Sequence, residues 1–170
     1  MALIRLNNQS LTNVSALPAG VGGKVLQVVQ TSIDSVVSAA AAGENTFNDI
    51  AGMSVSITPS ATNNKILVSY TINLGNSTGQ QNNSIRLMRD TTAIIGTGAA
   101  YSNITGFARL YSTPEISPDT LQYLDTPSTT SAITYKLQWA TGSGTSYLNR
   151  RGNDSNFVTL STITVMEIAG

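Results

Sequence analysis

The clearest pattern in the chain is an alternation. In KILVSYTINL, Lys65 to Leu74, the residues Ile66, Val68, Tyr70, Ile72 and Leu74 fall on one side. Lys65, Ser69, Thr71 and Asn73 fall on the other, and only Leu67 breaks the rule. A period of two with β-branched and aromatic residues predicts a half-buried strand. ITYKLQWA repeats the device, with Ile133, Tyr135, Leu137 and Trp139 inward, and GMSVSITP does so with Met53, Val55 and Ile57. Lys24–Gln30, Ser84–Arg89 and the closing SNFVTLSTITVMEIAG read as further strands.

Turn signals punctuate these runs. Pro59 to Asn64 ends in Asn-Asn, which tolerates the left-handed backbone of a tight hairpin. Gly142-Ser143-Gly144, the polar Gly75–Asn83 segment and Arg151–Asp154 mark other breaks. Val36 to Glu44 has helix propensity but meets Gly43 after about two turns, too short for a stable isolated helix. It reads as a loop or single turn, and Thr120–Asp125 as an edge strand or helical turn. Short strands at this spacing predict an all-β, jelly-roll-like antiparallel sandwich of about eight to ten strands over residues 24–170.

Residues 1–23 differ. Leu3, Ile4, Leu6, Leu11, Val14 and Leu17 are apolar without a period, and Pro18, Gly20, Gly22 and Gly23 interrupt the chain before the first strand. Such an extended N-terminal arm cannot cover its own apolar side chains. It is expected to lie along another surface, on its own sandwich or on a neighbouring subunit.

Composition narrows the chemistry. Ser (20), Thr (22) and Asn (15) make up one-third of the 170 residues, whereas Lys and Arg number 9, Asp and Glu 9, for net zero. That surface offers no counterion release to nucleic acid and no polybasic contact to lipid, so neither is expected as a partner. There is no Cys and no His. The usual general base and the commonest metal ligand are therefore missing, and no metal or cofactor is expected. MALIRLNNQS reads as neither a signal peptide nor a membrane span.

Three chemistries remain to be weighed. Glu115, Asp119 and Asp125 in TPEISPDTLQYLD could pair to cleave a glycosidic bond, as in a polysaccharide depolymerase. Asp119 after Pro118 and Asp125 before Pro127 read more simply as turn residues. A serine nucleophile would have only Lys24, Lys65 and Lys136 as base, all facing solvent in strand patterns. A host glycan could meet Tyr147, Asn149, Arg150 and Arg151, the one basic-aromatic feature. The plainer reading is a hairpin tip with arginine stems over apolar surface.

Four stretches carry a resemblance: LIRLNNQSLTNVSALPAG, GKVLQVVQT, MSVSITPSATNNKILVSY and the end from DTPSTTSAITYKLQWATGSGTSYLNR to STITVMEIAG. Together they cover roughly two-thirds of the chain. In their wording they resemble short virion proteins of tailed bacteriophages of marine and freshwater bacteria. The middle keeps only IRLMRD, and Ala39–Glu44 departs from a more Thr-rich connection. The resemblance implies a trimeric jelly-roll-like sandwich on the virion surface, decorating the head or forming part of a tail fibre, and supplies no catalytic residues. The expectation is a non-enzymatic capsid decoration protein, made in the host cytoplasm. Its arm would anchor it to a major capsid or tail protein. A receptor-binding fibre tip is the rival.

Overall fold

The computed structural model describes residues 25–78, 82–97, 106–109 and 111–170; the arm and Lys24 lie outside them. Among these residues the fold is all β, eleven strands in two antiparallel sheets. One sheet holds β1 (Val25–Ile33), β2 (Val37–Ala40), β4 (Lys65–Asn76), β8 (Ser117–Asp125), β10 (Thr145–Leu148) and β11 (Ser161–Ile168). The other holds β3 (Asn48–Ile57), β5 (Asn82–Arg89), β6 (Thr92–Ile95), β7 (Gly106–Arg109) and β9 (Ile133–Thr141). The expected jelly-roll-like sandwich is present.

β4 organises the first sheet. Its residues 66–74 pair with β8 along one edge. The other edge takes β11 over 65–71 and then β10 over 74–76, end to end. β1 extends the sheet beyond β11, and β2 extends it beyond β10. In the second sheet β9 lies between β3 and β5, and β5 carries β6 and β7 along its far edge.

The alternating residues meet between the sheets. Ile66, Val68, Ile72 and Leu74 of β4 pack with Ile85, Leu87, Tyr135, Leu137, Trp139, Met53, Val55, Ile163 and Val165, all buried. Burying each large side chain stabilises the fold by about 1.5–3 kcal/mol. That burial fixes the register, because a one-residue slip would turn every one of them outward.

Several local readings are corrected. Pro59–Asn64 is not a tight hairpin, because β3 and β4 belong to different sheets and the segment crosses between them. Asn63 and Asn64 do not adopt left-handed backbone; Asp90, Ser128 and Asn149 do. Val37–Ala40 is a strand, since its alternate residues Val37 and Ala39 pack on the core and outweigh the helix propensity of alanine. Thr120–Asp125 belongs to β8, so Asp119 and Asp125 are strand residues rather than turn residues. Of the closing run, Ser155–Leu160 is irregular and β11 begins only at Ser161. The strands are also one more than the upper expectation.

Candidate functional site

Asp119 and Asp125 do not converge, and Glu115 is held in a turn. Asp119 and Asp125 both point inward from β8, but six residues apart, about 20 Å at 3.3 Å per residue. Glycosidic cleavage by paired carboxylates needs about 5–9.5 Å. Each is also committed elsewhere. Asp119 accepts a hydrogen bond from the Tyr70 hydroxyl at 2.9 Å. Asp125 accepts from the Tyr135 hydroxyl at 2.6 Å and from Arg89 Nη1 on both oxygens, at 3.0 and 2.9 Å. Burial, and then the neighbouring carboxylate, pushes both tyrosine hydroxyls above their usual range. Glu115 closes a turn ahead of β8, accepting from the backbone N–H of Tyr111 and Ser112.

The loop after β10 is built to join strands. Asn149 is fully buried, with φ of +63°, at the point where β10 gives way to β11 along β4. Its Nδ2 donates to the carbonyls of Ile33 and Ser35 at 2.7 and 3.1 Å, and its Oδ1 accepts from Ser161 Oγ at 2.5 Å. Its backbone N–H donates to Asn73 O at 2.7 Å. Asn149 is thus a structural joint with no exposed amide. Arg150 lies over the Tyr147 ring at 4.1 Å and donates from Nε to Asp154 O. Arg151 pairs with Asp154 and lies over Phe157 at 4.3 Å. It is the guanidinium groups, rather than the stems, that lie over the rings, and the segment is a connection between two strands that each pair with β4 rather than a hairpin tip. Beside them Pro114, Ile116, Phe157 and Val158 line a shallow surface hollow of about 350 Å³.

The two outer faces of the sandwich contrast. On the second sheet, Asp49 accepts from Lys136 Nζ at 2.8 Å and from Gln138 Nε2 at 2.6 Å. Gln138 accepts from Arg86, which lies over Phe47 at 4.2 Å. The hydrogen bonds from Lys136, and then Gln138, hold the Asp49 carboxyl below its usual range. This is a charged ladder of the kind that faces water.

On the first sheet, the outward positions of β1, β11, β4 and β8 carry one charged residue, Lys65. The registers set side chains in rows across these four strands. One row is polar: Gln30, Thr164, Ser69 and Gln122. Beside it, Ser69, Thr71, Thr120, Gln122 and Thr162 line a groove of about 320 Å³. The adjacent row is apolar throughout: Val28 opposes Met166, Met166 opposes Leu67, and Leu67 opposes Leu124. Sequence reasoning missed this row. Its one visible sign was Leu67, the exception in an otherwise regular alternation.

Among the described residues no group of three or more acidic side chains could hold a metal ion, and no helix is long and apolar enough to cross a membrane.

No family model matches the chain, and no curated protein matches it. Solved structures do. One is the structure of infectious bursal disease virus, Gx strain: 13% identity over 85% of this chain and 43% of that one, TM-score 0.46. Another is the crystal structure of infectious bursal disease virus VP2 subviral particle: 12% identity, 85% and 38% coverage, TM-score 0.41. A third is the 2.6 Å structure of T=1 particles derived from the same virus: 14% identity, 84% and 36% coverage, TM-score 0.43. The chain therefore spans less than half the length of each of these three chains, and likeness at this level carries no role across.

Proposed function

We propose that this chain is a virion structural protein of a tailed bacteriophage, a homotrimeric capsid decoration protein that works by contact and carries out no reaction. The observation that carries this reading is the allocation of its chemistry. Asp119 and Asp125 are about 20 Å apart along β8 and tied to Tyr70, Tyr135 and Arg89. The outer face of the first sheet, in contrast, is nearly free of charge and carries one continuous apolar row among hydroxyls and amides. The resemblance of its sequence to phage virion proteins supports the same reading.

Attachment to the particle is assigned to the arm, through Leu3, Ile4, Leu6, Leu11, Val14 and Leu17 against a major capsid or tail protein. The gain would come from apolar burial, about 25 cal/mol per Å², less the cost of ordering the arm. The test is co-sedimentation of purified protein with particles lacking it. The full chain should pellet with particles at hundreds of copies each, and deletion of residues 2–18 should leave a folded protein in the supernatant. Attachment by the deletion variant would overturn the arm as anchor. A few dozen copies or fewer, with binding to host cells or glycans, would favour the fibre tip.

A further inference from the structure

We infer that the outer face of the first sheet, centred on the row Val28–Met166–Leu67–Leu124, is the surface through which one copy of this chain docks on another. The inference rests on the self-association in the reading above and not on the identity of the particle.

The row is continuous. Each member stands directly opposite the next in the hydrogen-bonded register, so the four side chains form one apolar stripe across the full width of the strands. Its ends stand clear of the fold: Val28 is 55% exposed and Leu124 47%. Val25 and Leu26, at an irregularity of β1 near Ile168, extend the stripe and are also about half exposed. A lone exposed leucine needs no account, but an aligned row rimmed by polar residues marks a contact surface.

A second copy is the occupant that fits. Lys65 is the one charge at these outward positions and the whole chain is neutral, so two copies meet with almost no like-charge opposition. A charged partner would find only Lys65 to pair with. The polar row of Gln30, Thr164, Ser69 and Gln122 is amide and hydroxyl, able to donate and accept at once, and so suits contact with a surface of its own kind. Face on like face is a two-fold contact, so it pairs copies from two trimers rather than closing one. Four strands about 4.8 Å apart and about 26 Å long present about 500 Å² per copy. Contact on both sides buries about 1,000 Å², the least that a specific interface needs. The opposite face, laced by Asp49, Lys136, Gln138 and Arg86, stays toward water.

The test is the solution mass of the full-length protein, by sedimentation or light scattering across a concentration series. The wild type should be oligomeric. The double variant Val28→Glu/Leu124→Glu changes two exposed side chains, keeps the fold by circular dichroism, and should weaken association about 100-fold or more, because like charges then meet in a desolvated contact. Ser54→Glu, on the outer face of the second sheet, should leave the mass unchanged. The chain lacks cysteine, so Leu124→Cys adds a single thiol, and a short bifunctional reagent should link copies through it.

Retention of the oligomer by the double variant, with no link through Leu124→Cys, would overturn the inference while leaving trimeric decoration standing. A wild type of single-copy mass would overturn both. If deletion of residues 2–18 then exposed the row to a hydrophobic dye, the chain's own arm would be its cover.

Discussion

Asn64 Nδ2 donates to Glu167 Oε1 across 2.6 Å, joining the crossing between β3 and β4 to the last strand. Glu167 is 1% exposed and points inward from β11, in line with Ile163 and Val165. The groups that bond it, from Gln27, Ser60 and Asn64, are all neutral. Oε1 also accepts from Ser60 N and Oγ at 2.6 and 2.8 Å, and Oε2 accepts from Gln27 Nε2 at 2.6 Å. Burial alone would raise the carboxyl; the bonds from Asn64, Gln27 and Ser60 outweigh it and hold the pKa at about 2. Replacing Glu167 by Gln sets an amide N–H against the Gln27 amide, so about 2–3 kcal/mol of stability should be lost in urea unfolding at pH 7.

The same group sets a pH dependence. Its pKa falls on folding from an ordinary 4.5 to about 2, so its contribution is present above pH 4.5 and is lost as pH falls through that window. That contribution is on the order of 3 kcal/mol. The midpoint of thermal unfolding should drop steeply between pH 4.5 and 2 in the wild type. The Glu167→Gln curve should be flatter there; parallel curves would refute the assignment.

Asn149 separates two effects at one position. Asn149→Ala loses the bonds to Ile33, Ser35 and Ser161 and places a Cβ residue in left-handed backbone, so a loss of about 3–4 kcal/mol is expected. Asn149→Gly loses the same bonds without the backbone strain and should cost about 1 kcal/mol less. Equal losses in denaturant unfolding would show that the left-handed conformation is not retained.

For the acidic residues, stability and catalysis make opposite demands. Asp125→Ala leaves Tyr135 and Arg89 without their acceptor and should cost about 2–4 kcal/mol. Asp119→Asn keeps an acceptor for Tyr70 and should cost less than about 1 kcal/mol. Neither variant should change the viscosity of a host polysaccharide relative to wild type. Cleavage by the wild type that Asp119→Asn abolishes would restore the depolymerase.

Gly152 sits in a loop, yet should tolerate nothing larger. Its φ is not the reason: a Cβ there would run into the carbonyl of Asn76, where the loop crosses the end of β4. Gly152→Ala should lower the unfolding midpoint by several degrees, while Asn153→Ala, at an exposed neighbour, should leave it within about 1 °C.

The sheet faces were legible in the sequence because alternation reports directly which side of a strand is wet. Ile66, Val68, Ile72 and Leu74, and likewise Ile133, Tyr135, Leu137 and Trp139, lie inward as their spacing requires. Strand partnership was not legible. Nothing in Pro59–Asn64 distinguishes a hairpin from a crossing, because the choice depends on β9 and β11, far along the chain. The apolar row was hidden for the same reason, since Val28, Leu67, Leu124 and Met166 come from four separate segments. Glu167 sits as the one charge in a strand-forming run, and Asn149 in what reads as a hairpin tip. Both are buried among partners that sequence spacing cannot bring together.

β4 has consequences for how the chain comes into being. Its edges are filled by β8, β10 and β11, none closer than about forty residues downstream. Among the described elements, only β5 and β6 are sequence neighbours that bond to each other. A ribosome must therefore deliver about ninety further residues, as far as β11, before this central strand is satisfied. Refolding should be slow, on the scale of milliseconds to seconds, and until β11 arrives the unfinished molecule exposes two long open edges to whatever lies nearby.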